Sequence, residues 1–292
     1  MRKNSLPVRT TLFVLLLATL WGGNVVAIKI GLRGISPFAA AGLRFGIALP
    51  LVALWAWIKG IALRPRTGEV IPLVVVGLIF ALQISILNWG TRLTLAGRAI
   101  VILHTYPVFV AFLAHFIIPG DRLDWRKLVG VIGAFAGIVV VFWEKLSPGA
   151  GGSITGDLLC LGSGFLLGLL TVLIKRSLEH IEAPRLLVWE MVIAVPLFFL
   201  LHALFESGSR YEFSPPVAAA LLYQGVVIGC FCFMAWLSVL KRYPPSRVSV
   251  LFFTTPVWGL LISYLLLGER ITVGLGIGAV LVALGIFLVN RG

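Results

Sequence analysis

Ten runs of about 20 mainly apolar residues follow one another along this chain, with connections too short to hold a further domain. They fall at 10–31, 36–58, 70–91, 95–118, 125–143, 156–176, 183–204, 216–240, 245–267 and 271–290. A helix needs about 20 apolar residues to cross ~30 Å of hydrocarbon. The runs are too long for membrane strands and lack their alternation. Composition agrees with this reading. Of 292 residues, 60% are hydrophobic and 12% charged, whereas a soluble domain carries about a quarter charged residues. So few charges cannot cover a water-facing surface. The expected fold class is an all-α polytopic membrane protein with ten transmembrane helices.

The net charge of +13 reflects orientation in the membrane. Basic residues stand singly or in pairs between apolar runs, without the dense stripe of a nucleic-acid surface, so no nucleic-acid partner is expected. Sixteen of the 24 Lys and Arg residues fall on the N-terminal side of the spans and seven on the other, with Arg44 inside a span. Positive residues stay cytoplasmic. Both termini are therefore expected inside, in a bacterial inner (cell) membrane. Arg2, Lys3 and Arg9 before an apolar stretch imitate a signal peptide. That stretch continues through Trp21 and Asn24 to Lys29 without a cleavage site, so it reads as a retained first helix.

The second half of the chain repeats the first at an offset of about 146–149 residues. Segment 35–50 lies over 181–196, placing Glu190 where the first half has Arg44, and Lys29 lies over Lys175. Further on Arg98 matches Arg247, Pro107 matches Pro256, Gly120-Asp121-Arg122 matches Gly268-Glu269-Arg270, and Gly130 and Gly137 fall on Gly278 and Gly285. Two units result, 1–148 and 149–292, each with five spans. An odd number of spans makes the second copy enter the membrane from the opposite face. That is the inverted-repeat pattern of transporters, whose sites lie near the midplane between halves.

These segments resemble the EamA family of the drug/metabolite transporter superfamily. The residues carrying the resemblance are Trp21-Gly22-Gly23-Asn24 through Lys29, Ser36-Pro37 with Arg44-Phe45, and Pro107 with Gly120-Asp121-Arg122, Gly130 and Gly137. Their echo is Pro256, Gly268-Glu269-Arg270, Gly278 and Gly285. The resemblance covers nearly the whole chain and implies a ten-helix exporter of small metabolites, a pattern shared by amino-acid exporters of the YddG type and by drug exporters. The first-span Trp-Gly has no equivalent near Leu167-Gly168, and Glu190 opposite Arg44 breaks any expectation of identical chemistry in the halves.

Pro107 and Pro256 sit near the middles of spans four and nine, where each removes an i→i−4 hydrogen bond and frees the carbonyl of Leu103 or Phe252. In lipid such a carbonyl needs a neighbour, and Thr105, Thr254 and Thr255 are near. Two hinges are the functional expectation, and tolerated static kinks the alternative. Polar and aromatic residues near the midplane are few: Trp21, Asn24, Gln83, His104, Tyr106, Ser163, Gln224, Trp236, Phe252 and Phe253. A largely apolar pocket with a few orienting polar groups suits a small solute, and these ten are the candidate substrate-binding residues. His104, one turn before Pro107, can donate and accept. Arg44 and Glu190 lie roughly 12 Å inside their spans, as candidates for gating or coupling or as structural ion pairs. Expected partners are Glu269 for Arg44, and Lys175 or Arg185 for Glu190. Lys29 and Lys175 near helix ends are expected to snorkel. Gly133-x-x-x-Gly137, Gly164-x-x-x-Gly168 and Gly274-x-x-x-Gly278 are close-packing seams, within one chain or between two.

Nothing suggests an enzyme, a cofactor or a metal. The four histidines are scattered in depth, no phosphate loop occurs, and Cys160, Cys230 and Cys232 read as buried thiols. A channel is the rival of another class, but it would need a continuous polar lining. Alternating-access export of amino acids or related metabolites is the favoured reading. A multidrug or cationic-compound exporter is the alternative, disfavoured because Glu190 stands displaced from the membrane centre. Small solutes and the lipid bilayer are the expected partners, for a monomer or weak homodimer.

Overall fold

A backbone in hydrocarbon must satisfy its own N–H and C=O groups, and a helix does so within one segment. The computed structural model of this chain describes residues 6–94, 96–146, 153–209 and 211–267, with 281 and 284, and its regular elements are all helical among these. Helices α1 (Val8–Gly31), α2 (Pro37–Ile58) and α3 (Val70–Leu93) open the chain. The fourth run is two pieces, α4 (Ala96–Leu103) and α5 (Tyr106–Ile117), before α6 (Trp125–Leu146). Then come α7 (Ile154–Ser177) and α8 (Ala183–Phe205). The eighth run is α9 (Pro215–Leu222), a π-helical stretch Tyr223–Cys232, and α10 (Phe233–Arg242). The ninth is α11 (Pro245–Ser249), a 3-10 stretch Val250–Thr254, and α12 (Thr255–Leu267). The tenth run lies outside the described residues apart from two positions. Among the described residues seven helices, counting residues 215–242 and 245–266 as one each, are long and apolar enough to cross a membrane.

Prolines set several boundaries. Pro37, Pro184, Pro215 and Pro245 occupy first-turn positions of their helices, where the missing N–H costs nothing. Pro107 and Pro256 do the same within runs four and nine: each sits at the start of a second half-helix. The expected kinks are thus a full break at His104-Thr105 and a 3-10 stretch at 250–254. Both breaks use one device. Thr105 Oγ1 donates to the Ile102 carbonyl and Thr254 Oγ1 to the Leu251 carbonyl, each at 2.8 Å. These acceptors lie one residue before the carbonyls that the prolines were expected to free.

Outward faces are apolar, as lipid requires: Trp57, Ile71, Phe116 and Leu265 are each at least 70% exposed. Glycines allow close crossings inside. A Cβ on Gly22 would come 2.8 Å from the Gly259 nitrogen, and one on Gly168 would come 2.7 Å from Phe109 Cβ. The Gly164/Gly168 seam therefore packs on the broken fourth run of the same chain. The seam at 274–278 lies outside the described residues.

Polar side chains fasten the helix ends. Lys29 Nζ donates to the Thr91 and Thr94 carbonyls at 2.9 and 3.0 Å, and Lys175 Nζ to those of Leu240 and Lys241 at 2.7 and 3.2 Å. Both thus hold the orphan carbonyls that a helix C-terminus presents. Arg185 pairs with Glu69 at 2.8 Å and donates to the Ala62 carbonyl, binding the α2–α3 connection to α8. At the far end of α8, the Glu206 carboxylate accepts from the backbone N–H groups of Phe38 and Ala39 at the start of α2. Asp121, buried, pairs with Lys127 and accepts from the Ser246 backbone N–H and hydroxyl.

Candidate functional site

Between these fastened ends lies a cavity of about 110 Å³. That is room for several water molecules or part of a small solute. α1 contributes Trp21 and Asn24, α2 Arg44 and Phe45, and α3 Gln83. The broken fourth run contributes His104 and Tyr106, α7 Leu170 and Thr171, and α8 Glu190. Gln224 comes from the π-helical stretch, Phe233 and Trp236 from α10, and Phe252 from the 3-10 stretch. Eight of the ten residues expected to meet a solute thus share one surface.

The other two do not reach it. Ser163 stands behind Gln83, accepting from Gln83 Nε2 at 2.8 Å and donating to the Gln83 carbonyl at 3.1 Å. It holds the amide in place. Phe253 does not line the cavity and belongs to a separate apolar cluster with Val25, Ile100, Ala111, Val131 and Val250. Sequence reasoning missed Phe45, Phe233 and Thr171. Phe45 has a signal, since it adjoins the intramembrane Arg44. Phe233 has none, because the π-helical stretch shifts the phase: its i→i+5 bonding puts Gln224, Ile228 and Phe233 on the cavity together, which an α-helical wheel does not.

Aromatic rings form the middle of the wall. Phe233 lies 5.7–5.9 Å from Trp21, Phe45 and Phe80, and Phe252 lies 5.3 Å from Trp21 and 4.8 Å from Trp236. These tilted and edge-on contacts join α1, α2, α3, α10 and the 3-10 stretch into one band. His104 Nδ1 lies 2.7 Å from the Ile100 carbonyl. A carbonyl only accepts, so Nδ1 carries a proton and a neutral ring keeps Nε2 as an acceptor.

Two buried charges complete the surface, Arg44 at 3% exposure and Glu190 at 0%. Arg44 NH1 donates to Gln224 Oε1 at 3.2 Å while Gln224 Nε2 donates to the Ala27 carbonyl at 3.1 Å. The guanidinium also lies 4.6 Å over the Phe45 ring. Its Nε and both Glu190 oxygens have no hydrogen-bond partner among the described residues. The partners expected for Glu190 are engaged elsewhere, Arg185 with Glu69 and Lys175 with backbone carbonyls. Glu269, expected beside Arg44, lies outside the described residues. Glu190 is not displaced from the cavity: the turn of α8 that carries it faces inward. The argument against a cationic solute therefore falls.

Residues 8–143 and again 154–291 match the EamA-like transporter family. This chain belongs to that family. It is a membrane transporter, and small molecules are its substrates. A transporter of Archaeoglobus fulgidus is 30% identical over 289 residues, with 96% of each chain covered. A protein of Escherichia coli named "probable amino-acid metabolite efflux pump" is 29% identical, covering 94% of this chain and 92% of its own. A Streptantibioticus cattleyicolor protein named "probable terminal-alkyne amino-acid exporter" is 25% identical, covering 93% and 90%. One crystal structure, 20% identical, aligns with a TM-score of 0.80 over 96% of this chain and 97% of that one. At that identity the match speaks for the fold alone.

Proposed function

We propose that this transporter exports amino acids or related metabolites across the bacterial inner membrane by alternating access. The working unit is ten helices in two five-helix repeats of opposite orientation, 1–148 and 149–292, with both termini cytoplasmic. Support for the repeat comes from paired devices at one offset: Lys29 and Lys175 on helix C-termini, Thr105-x-Pro107 and Thr254-x-Pro256 at the breaks. Broken spans at corresponding places in two halves are the usual setting of a transporter site. Relatives named for amino-acid efflux support the solute class. The observation that carries the reading is the cavity, where an aromatic band adjoins a guanidinium whose Nε is unpaired, a match for an amphipathic carboxylate. Glu190 in the same cavity favours a second reading, export of cationic compounds.

Counterflow in proteoliposomes with a panel of amino acids and cationic dyes tests this. Amino acids are expected to exchange, and movement of dyes alone would replace the first reading by the second. His104→Ala and Trp236→Ala are expected to raise the apparent KM, and unchanged kinetics in both would remove them from the site. Pro107→Ala and Pro256→Ala should slow turnover more than binding, and equal loss of folded protein would instead favour static breaks. Labelling of cysteines introduced as Arg64→Cys and Arg210→Cys should occur from opposite sides of the bilayer. Reaction from one side would end the inverted-repeat reading.

A further inference from the structure

Arg44 and Glu190 line one cavity but stand at different levels. The rings of Phe45 and Phe198 stack with centroids 6.0 Å apart, so Arg44 lies level with Phe198 on α8. Glu190 precedes Phe198 by eight residues, or about 12 Å along the helix. Helical side chains lean toward the N-terminus, which carries the Glu190 carboxylate further from Arg44. The ammonium and carboxylate of an ordinary α-amino acid share one carbon and cannot meet both poles. A solute held only by its carboxylate at Arg44 would leave Glu190 bare in an apolar wall, which is costly for a buried charge.

We infer that the preferred solutes are amino acids with a second, cationic group at the end of the side chain, bound with the carboxylate at Arg44–Gln224 and the distal cation at Glu190. Carboxylate carbon to distal nitrogen in extended lysine is roughly 7 Å. A hydrogen bond of about 3 Å at each end brings the reach to roughly 13 Å, near the separation of the poles. The stem between the two charges is apolar, and so is the wall it passes, the rings of Phe233, Trp236 and Phe252. Each end group also has an unsatisfied partner: the unpaired Arg44 Nε would meet the carboxylate, and the two unpartnered Glu190 oxygens the distal cation.

The inference rests on the amino-acid reading, and three isosteric probes separate the two. Lysine carries both end groups, norleucine lacks the distal cation, and cadaverine lacks the carboxylate. In counterflow with the wild-type transporter, lysine is expected to exceed each of the others by about tenfold or more in kcat/KM, because each analogue leaves one buried charge unpaired. Glu190→Gln should bring the lysine-to-norleucine ratio to within about twofold, and Arg44→Gln should do the same for lysine against cadaverine. Norleucine moving as well as lysine in the wild type, or a ratio that survives Glu190→Gln, overturns the inference while leaving amino-acid export standing. Exchange of none of these probes nor any other amino acid defeats the underlying reading as well. Should Glu190→Gln fail to fold, Nε-acetyl-lysine serves in its place against the wild type. It must compete at least about tenfold less well than lysine, and equal competition overturns the inference.

Discussion

Lys29 and Lys175 lie 146 residues apart in sequence and perform the same task. Each ties the last turns of a first helix, in its own half, to carbonyls at the end of that half's third helical run. Thr105 and Thr254 likewise bond the third carbonyl before them at matching breaks. Yet the residues the two halves turn inward are unlike. Arg44 faces the cavity in one half and Glu190 in the other, and α3 is continuous where its counterpart contains the π-helical stretch. The shared devices satisfy backbone groups, which the bilayer penalises wherever they are left bare. Arg44 and Glu190 are bonded to no backbone carbonyl among the described residues, so these two positions are free to differ. Duplication preserved the frame and released the chemistry.

Substitution can break this comparison at several strengths. The largest effect is expected from Glu190→Arg, which makes the halves alike and puts a second buried cation into the cavity. About 3–5 kcal/mol of stability should be lost, read as a fall of the thermal midpoint in detergent. The exchange Arg44→Glu with Glu190→Arg should recover part of that loss by restoring one charge of each sign. No recovery would mean that each charge answers to its own surroundings. Lys29→Met and Lys175→Met come next, each expected to cost about 1.5–3 kcal/mol because each strips a charged donor from two carbonyls. The two losses should be similar, and tolerance of one alone would end the equivalence of the clamps. Smallest is Thr105→Val or Thr254→Val, about 0.6 kcal/mol each, the usual worth of a hydrogen bond inside a membrane protein. A loss several times larger at one break would show that break to be the more strained.

The chain's linear pattern determined its solvent, its helices and the places where they break. Apolar runs of helical length allow little else in lipid, and Pro107 and Pro256 mark two breaks, although Pro50 and Pro196 sit inside continuous helices. The offset matches also brought Arg44 over Glu190 and Lys29 over Lys175, and midplane depth collected eight of the cavity's residues. Tertiary structure decided the rest. Spans that are apolar all round do not declare which face is inward, since lipid and protein neighbours look alike to a hydrophobic side chain. Depth therefore could not separate Ser163, which stands behind Gln83, from the wall itself, nor Phe253 from Phe252. The π-helical phase that brings Phe233 inward has no mark in residue type. Only packing put Arg44 and Glu190 on one cavity, and only packing gave the lysines carbonyls to hold, because a side chain's partner belongs to whichever helix the fold sets beside it.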